Sequence, residues 1–303
     1  MRALILGVAG ALFLSPADAQ QVPDRDVDIS VASPAFARDT GPVVSLDAAH
    51  FNFHKLDGRF ETFGNLLRND GFRLRAFTDP FSADSLSKTQ VLVISNALNK
   101  VNVGNWRGAT PSAFTAEEIA AVKAWVGGGG ALLLIADHFP FAGNAADLAS
   151  AFGFEFYNAY AMPKEETSSD AFVLEDGTLK DDMILHGRSS AEVVRKVVTF
   201  TGSAFTAPSG ARPILTLPQG FHLEFRTDSS IVTPETPRTE AGGLLQGAVM
   251  AVGKGRIAVF GEAAMFSAQR LGPAAEPMGF NAPGAEGNKQ FILNLMRWLA
   301  QAT

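Results

Sequence analysis

The 303-residue sequence contains no cysteine. Disulfides, cysteine-ligated zinc and every thiol nucleophile are thereby excluded. A chain of this length needs no covalent staples to hold a core. Clustered positive charge is missing too: the formal net charge is −6, which argues against nucleic acid and anionic membrane surfaces as partners. The short signatures of catalysis and nucleotide binding are also absent. There is no G-x-S-x-G, no H-E-x-x-H, no Walker A, and no G-x-G-x-x-G joining a strand to a helix. The glycines at 127–130 end a helical pattern rather than opening one, so they make no phosphate cradle.

Long hydrophobic runs are lacking as well. The longest, ALILGVAGALFL at 3–14, falls short of the ~20 residues a bilayer demands. With Arg2 before it and Ala17-Asp18-Ala19 after it, the run reads as a secretory signal peptide cleaved after Ala19. Cleavage removes one charge of each sign. The product is expected to be periplasmic or secreted, without membrane insertion. Residues 20–42 carry Pro, Asp, Arg and Ser without a sustained period and read as a lead-in arm.

From residue 43 a rhythm begins, and one domain over 43–303 is expected. VVSL at 43–46 is a β-branched start. RFETFGNLLRNDG (59–71) places Phe60, Phe63, Leu66 and Leu67 at helical spacing before an Asp-Gly stop. FRLRAFTD (72–79) alternates as a strand, and QVLVISNAL (90–98) is a fully apolar one. TAEEIAAVKAWVGGGG (115–130) opens with a capping box, Thr115 and Glu118, and closes on glycine. ALLLIAD (131–137) is another buried strand, and NAADLASAFG (144–153) another helix. This order predicts an α/β fold with a mostly parallel, doubly wound sheet. The stretch 162–213 breaks the rhythm and reads as an insertion over one edge. The C-terminal part is β-rich, with Gly253-Lys254-Gly255 as a hairpin turn, and closes with a helix over 288–302.

In such sheets ligands bind beyond the C-terminal ends of the strands. Three polar groups fall there: Asp47, His50, Asn52 and His54 in DAAHFNFH; Asp137 and His138 in ADHFPFAG; and Glu262 in FGEAAMFS. Asp and His are standard ligands of a divalent ion, zinc or manganese first, and a catalytic ion keeps a position open for water. Asp47, His50, His54 and Asp137 are the expected metal ligands, with His138 and Glu262 as catalytic residues. The plainer alternative has Asp47 and Asp137 capping the segments that follow, and His50 and His54 packing with Phe51 and Phe53. Ser95 and Ser267 also stand at strand ends, without the elbow a nucleophile needs, and His222 sits in a strand pattern as an ordinary side chain.

Taken together, DAAHFNFH, GRFETFGNLLRNDGFRL, LLLIADHFPFAG, ILHGRS, GKGRIAVFGEAAMFS and NKQFILNLMRWLA resemble a family of secreted bacterial proteins. Its fold is similar to the flavodoxin-like, class I glutamine amidotransferase-like group that includes the N-terminal domains of gliding-motility and intraflagellar-transport proteins. The resemblance implies that fold from about residue 43 onward. It also places Asp137-His138 where amidotransferases carry a nucleophilic cysteine. With no cysteine, glutamine amidotransferase activity is excluded. Three readings remain: an exported metal-dependent hydrolase, a non-catalytic module binding a small molecule, a carbohydrate or a protein partner through its Phe-rich loops, and a metal-free acid–base enzyme using His138 with Glu262.

Overall fold

The computed structural model describes residues 21–163 and 170–302, so the expected signal peptide at 1–19 lies outside the described residues. Among the described residues no helix is long and apolar enough to cross a membrane.

The apolar runs become the core strands. In chain order the principal elements are β1 (Val43–Asp47), α1 (Glu61–Asn69), β2 (Arg73–Phe77), β3 (Val91–Ser95), α2 (Ala116–Gly127), β4 (Ala131–Ile135) and α3 (Phe141–Ser150). After these come β5 (Glu155–Tyr157), β6 (Ala204–Thr206), β7 (Arg212–Thr216), β8 (Leu245–Val252), β9 (Gly255–Phe260) and α4 (Glu286–Leu299). They build a nine-stranded sheet in the order β2-β1-β3-β4-β9-β8-β6-β5, with β7 also paired to β8. The first five strands of that order run parallel. From β8 outward every pairing is antiparallel. The parallel half has flavodoxin-like 2-1-3-4-5 connectivity, with β9 in the fifth place.

Alternation within the strands divides the core. Val91, Val93, Leu133 and Ile135 join Phe63 and Leu67 of α1 and Phe291 and Leu295 of α4 on one face. Leu92, Ile94, Leu132 and Leu134 join Val122 and Val126 of α2 and Leu148 of α3 on the other. Successive side chains of a strand point to opposite faces, so only a sheet covered on both sides can bury such runs. The doubly wound arrangement is therefore as the sequence predicts.

Helix limits differ by a few residues. α3 begins at Phe141, three residues before the expected start, directly after the cis Phe139–Pro140 bond. α1 ends before Gly71, which has φ +90° and where a Cβ would collide with the Phe36 carbonyl oxygen. Only glycine lets the arm lie that close. The arm is pinned along its length: Gln21–Pro23 pairs with Ala268–Leu271, and Asp70 accepts from the Ala35 amide. Asp70 also holds the fully buried Arg297 in a bidentate pair at 2.6 and 2.8 Å, and Glu192 holds the same guanidinium at 2.9 Å.

The stretch 162–213 is an insertion only in part. Asp170–Val173 and Lys196–Thr199 form a separate two-stranded ribbon, but β6 and the start of β7 belong to the main sheet. These pieces are too short, and too polar at their ends, to show a period of two. A further three-stranded sheet packs Phe221–Glu224 between Tyr160–Pro163 and Arg238–Glu240. His222 lies in its central strand.

Candidate functional site

The loops after β1, β4 and β9 open on one edge of the sheet, as the strand order requires. They do not converge on one point. β3 lies between β1 and β4, so their ends stand roughly 10 Å apart at the usual strand spacing. The polar residues resolve into three separate constellations.

The first is a clamp around His50. Its Nδ1 lies 2.9 and 3.0 Å from the Asp47 carboxylate oxygens, and its Nε2 lies 2.9 Å from Glu118 Oε1. The ring packs against Phe81 and Phe114, with centroids at 4.5 and 4.8 Å. Burial works against a charged ring here. The hydrogen bonds and charges of Asp47, then those of Glu118, outweigh burial and raise the His50 pKa. An imidazolium donating from both nitrogens leaves no lone pair for a metal. Glu118 is also the capping-box residue of α2 and accepts from the Phe81 amide at 3.1 Å. His50 thus ties the end of β1 to the start of α2.

The second is His54, buried under the same loop. Its Nδ1 meets the Ser95 hydroxyl at 3.0 Å, and its ring lies 4.5 Å from Phe60. Burial first, and the nearby Arg59 charge second, push its pKa down to about 3. This imidazole is neutral.

The third joins Asn96, Asp137 and Glu262. Asn96 follows β3 in the left-handed region at φ +53°, a conformation asparagine tolerates. Its side chain donates to Asp137 Oδ2 at 2.8 Å and accepts from the Asp137 amide at 2.9 Å. Asp137 Oδ1 accepts from the Ala263 amide at 2.9 Å. Glu262, fully buried, accepts from the Ala264 and Met265 amides at 2.7 and 2.8 Å. Burial raises the pKa of both carboxyls, and the Asp137 charge raises Glu262 further. Both Glu262 oxygens are held by the amides that open the short turn Ala264–Phe266, and the side chain is buried.

His138 donates from Nδ1 to the Phe139 carbonyl at 2.8 Å, which leaves Nε2 as the acceptor. Burial lowers its pKa, against the opposing pull of Asp137. The ring stacks on Tyr160 at 4.0 Å with a 10° tilt, and the Arg226 guanidinium lies 3.9 Å from the Tyr160 centroid. Two groups at that distance occupy opposite faces of the tyrosine. Sequence reasoning missed Tyr160 and Arg226, because only the small sheet brings them to β4.

The expected metal set is therefore not assembled. Asp47 and His50 satisfy each other, His54 faces Ser95, and Asp137 is spent on Asn96 and Ala263. Among the described residues no group of three or more His, Asp or Glu is placed to hold an ion.

What the edge does present is a cleft of about 640 Å³ at the switch point between β1 and β3, where the chain turns first to one side and then to the other. The loop after β1 supplies Phe51, Asn52, Phe53, Lys55 and Arg59. The loop after β3 supplies Val103, Asn105, Trp106 and Arg107, and Asp228–Ser230 closes the far side. Phe53 meets Trp106 edge-on at 5.4 Å, and both lean on Phe141 at 5.6 and 4.9 Å. His138 sits behind this layer, 6.2 Å from the Trp106 ring. Phe51 is 49% exposed at the mouth and holds φ +48°. Asn52 Oδ1, in the wall, is buried without a hydrogen-bond partner.

No family model matches the sequence, and no curated protein matches it. Among solved structures, the chain is similar to the mmIFT52 N-terminal domain at a TM-score of 0.58 and 15% identity, covering 85% of this chain and 97% of that one. That likeness shows the fold alone: a flavodoxin-like α/β sheet. Weaker likenesses run to a ThuA-like protein from Bacteroides uniformis (TM-score 0.48, 12% identity, covering 89% and 93%) and a cytoplasmic protein from Salmonella typhimurium LT2 (0.46, 12%, 86% and 97%). At those scores they add nothing to the argument.

Proposed function

We propose that the mature chain, exported after loss of residues 1–19, binds a carbohydrate-like small molecule in the switch-point cleft. The observation that carries this reading is the Phe51–Asn52 wall. A half-exposed phenylalanine in the left-handed region costs on the order of 1–3 kcal/mol and persists only where its surroundings enforce it, as at ligand clamps. Next to it, Asn52 keeps a buried acceptor unmatched, a further local cost of about 1–3 kcal/mol held in the same loop. Aromatic rings beside amides and hydroxyls (Phe51, Trp106, Asn105, Ser229, Ser230) suit a sugar, which stacks its C–H face and hydrogen-bonds through its rim. The resemblance to secreted bacterial proteins supports export.

The metal-assisted hydrolase reading requires Asp47 and His50 to abandon each other and Glu118, and no observation favours it over the cleft. The test is a thermal-shift screen of the mature protein against cellotriose, maltotriose, xylotriose, chitotriose and trigalacturonic acid. At least one raises Tm, and Trp106→Ala weakens that binding roughly 10-fold or more, the loss of one stacking platform. A flat response to all five contradicts the proposal.

A further inference from the structure

Charge in the cleft is unevenly spent. The lining cations are Lys55, Arg59 and Arg107, and the lining carboxylates are Asp57 and Asp228. Asp228 is occupied: it accepts from the Ser230 amide and hydroxyl at 2.9 and 2.6 Å, and Arg107 Nε stands 3.6 Å from its other oxygen. Lys55 and Asp57 are exposed on the rim.

Arg59 is in a different position. Its guanidinium lies 3.8 Å from the Phe53 centroid, and its one hydrogen bond among the described residues runs from Nη1 to the Phe53 carbonyl at 3.3 Å. Nε is buried without a partner, and among the described residues no carboxylate pairs with this side chain. Burial of the unpaired cation lowers its pKa, a sign that the protein holds this charge at a cost. Packing over Phe53 holds the guanidinium in the cleft wall, and among the described residues Nη2 and the second N–H of Nη1 have no hydrogen-bond partner. A guanidinium fork matches a carboxylate through two parallel N–H···O bonds, which a point charge cannot reproduce.

We propose that the ligand is an acidic sugar, its ring against the Phe51, Phe53 and Trp106 wall and its carboxylate on Arg59. The inference rests on the carbohydrate reading and specifies its substrate class. Most of the site comes from one short loop, since Phe51, Asn52, Phe53 and Arg59 lie within one nine-residue stretch after β1, and Trp106 joins them from the loop after β3. The aromatic wall selects for a pyranose face, and the cation selects among pyranoses by charge.

Calorimetric titration with trigalacturonic acid and with its trimethyl ester tests the inference, because the ester keeps the sugar backbone and replaces each carboxylate with a neutral methyl ester. On the unmutated mature protein the acid binds at least 10-fold tighter than the ester. Arg59→Gln brings the acid down to the level of the ester, so that the acid-to-ester ratio falls to about one. Arg59→Lys, which keeps the charge and loses the fork, recovers only part of the preference. Melting curves establish that both variants fold, and the acid-against-ester comparison needs no variant at all. Equal affinity for acid and ester, or a preference that survives Arg59→Gln, overturns the acidic-sugar inference. Binding of a neutral trisaccharide without trigalacturonate overturns it as well and leaves the carbohydrate reading standing. If no saccharide binds, both fall.

Discussion

Phe51 shows most clearly what a single side chain contributes. It gains little from burial at 49% exposure and pays for a left-handed backbone. Phe51→Asn is expected to stabilise the free protein by about 1 kcal/mol, because asparagine adopts that conformation readily. The same change should weaken saccharide binding. A variant that is both less stable and unchanged in binding would show that Phe51 is merely packed. His54 gives a pH signature. Its folded pKa of about 3 lies below the ordinary histidine value, so its contribution is complete above pH 6.5 and fades as pH falls toward 3. Roughly 2 kcal/mol should be lost between pH 7 and pH 5. Urea melts of His54→Phe should show a flatter acid limb, and an acid limb unchanged from the parent would assign the loss elsewhere. Individual roles were the least legible level of the sequence. DAAHFNFH announced that polar residues gather after β1, but not that His50 would be spent on Glu118, sixty-eight residues away. Arg59 carried no signal except its nearness to the Phe-rich loop.

Secondary-structure elements were far more legible. The strands at 43–47, 91–95 and 131–135 and the capped helix from 116 follow from local pattern, because burial on both faces demands continuous apolar runs. The short strands β5 and β6 were hidden, since three residues cannot display a period. The His50 clamp belongs to this level, because it joins β1 to α2. Removing the imidazolium leaves two buried carboxylates facing each other, so His50→Ala should cost about 3–5 kcal/mol in urea unfolding. Its raised pKa adds a sign: that contribution is complete below pH 6.5 and is lost as pH rises through the folded value. A loss near zero would mean the clamp is not formed in solution.

For the whole molecule, parallel β-sheet and helices alternate to place one crevice at the switch point, and the arm is fastened to the far end by Arg297, Asp70 and Glu192. Asp70→Ala should destabilise the protein by about 1.5–3 kcal/mol, because a fully buried guanidinium loses its bidentate partner and keeps only Glu192 and the Ser33 carbonyl. Little effect would mean the arm is held by its strand pairing alone. Adding zinc or manganese should leave Tm where it was, since the candidate ligands already satisfy one another. A shift that His50→Ala abolishes would return the metal reading.

The most direct measurement is hydrogen exchange of the mature protein with and without saturating trigalacturonic acid. Ligand in the switch-point cleft should slow exchange at 51–59, 103–107 and 228–230, the three segments that wall it. Protection confined to the loops carrying His138 and Glu262, or no protection anywhere, would contradict the account.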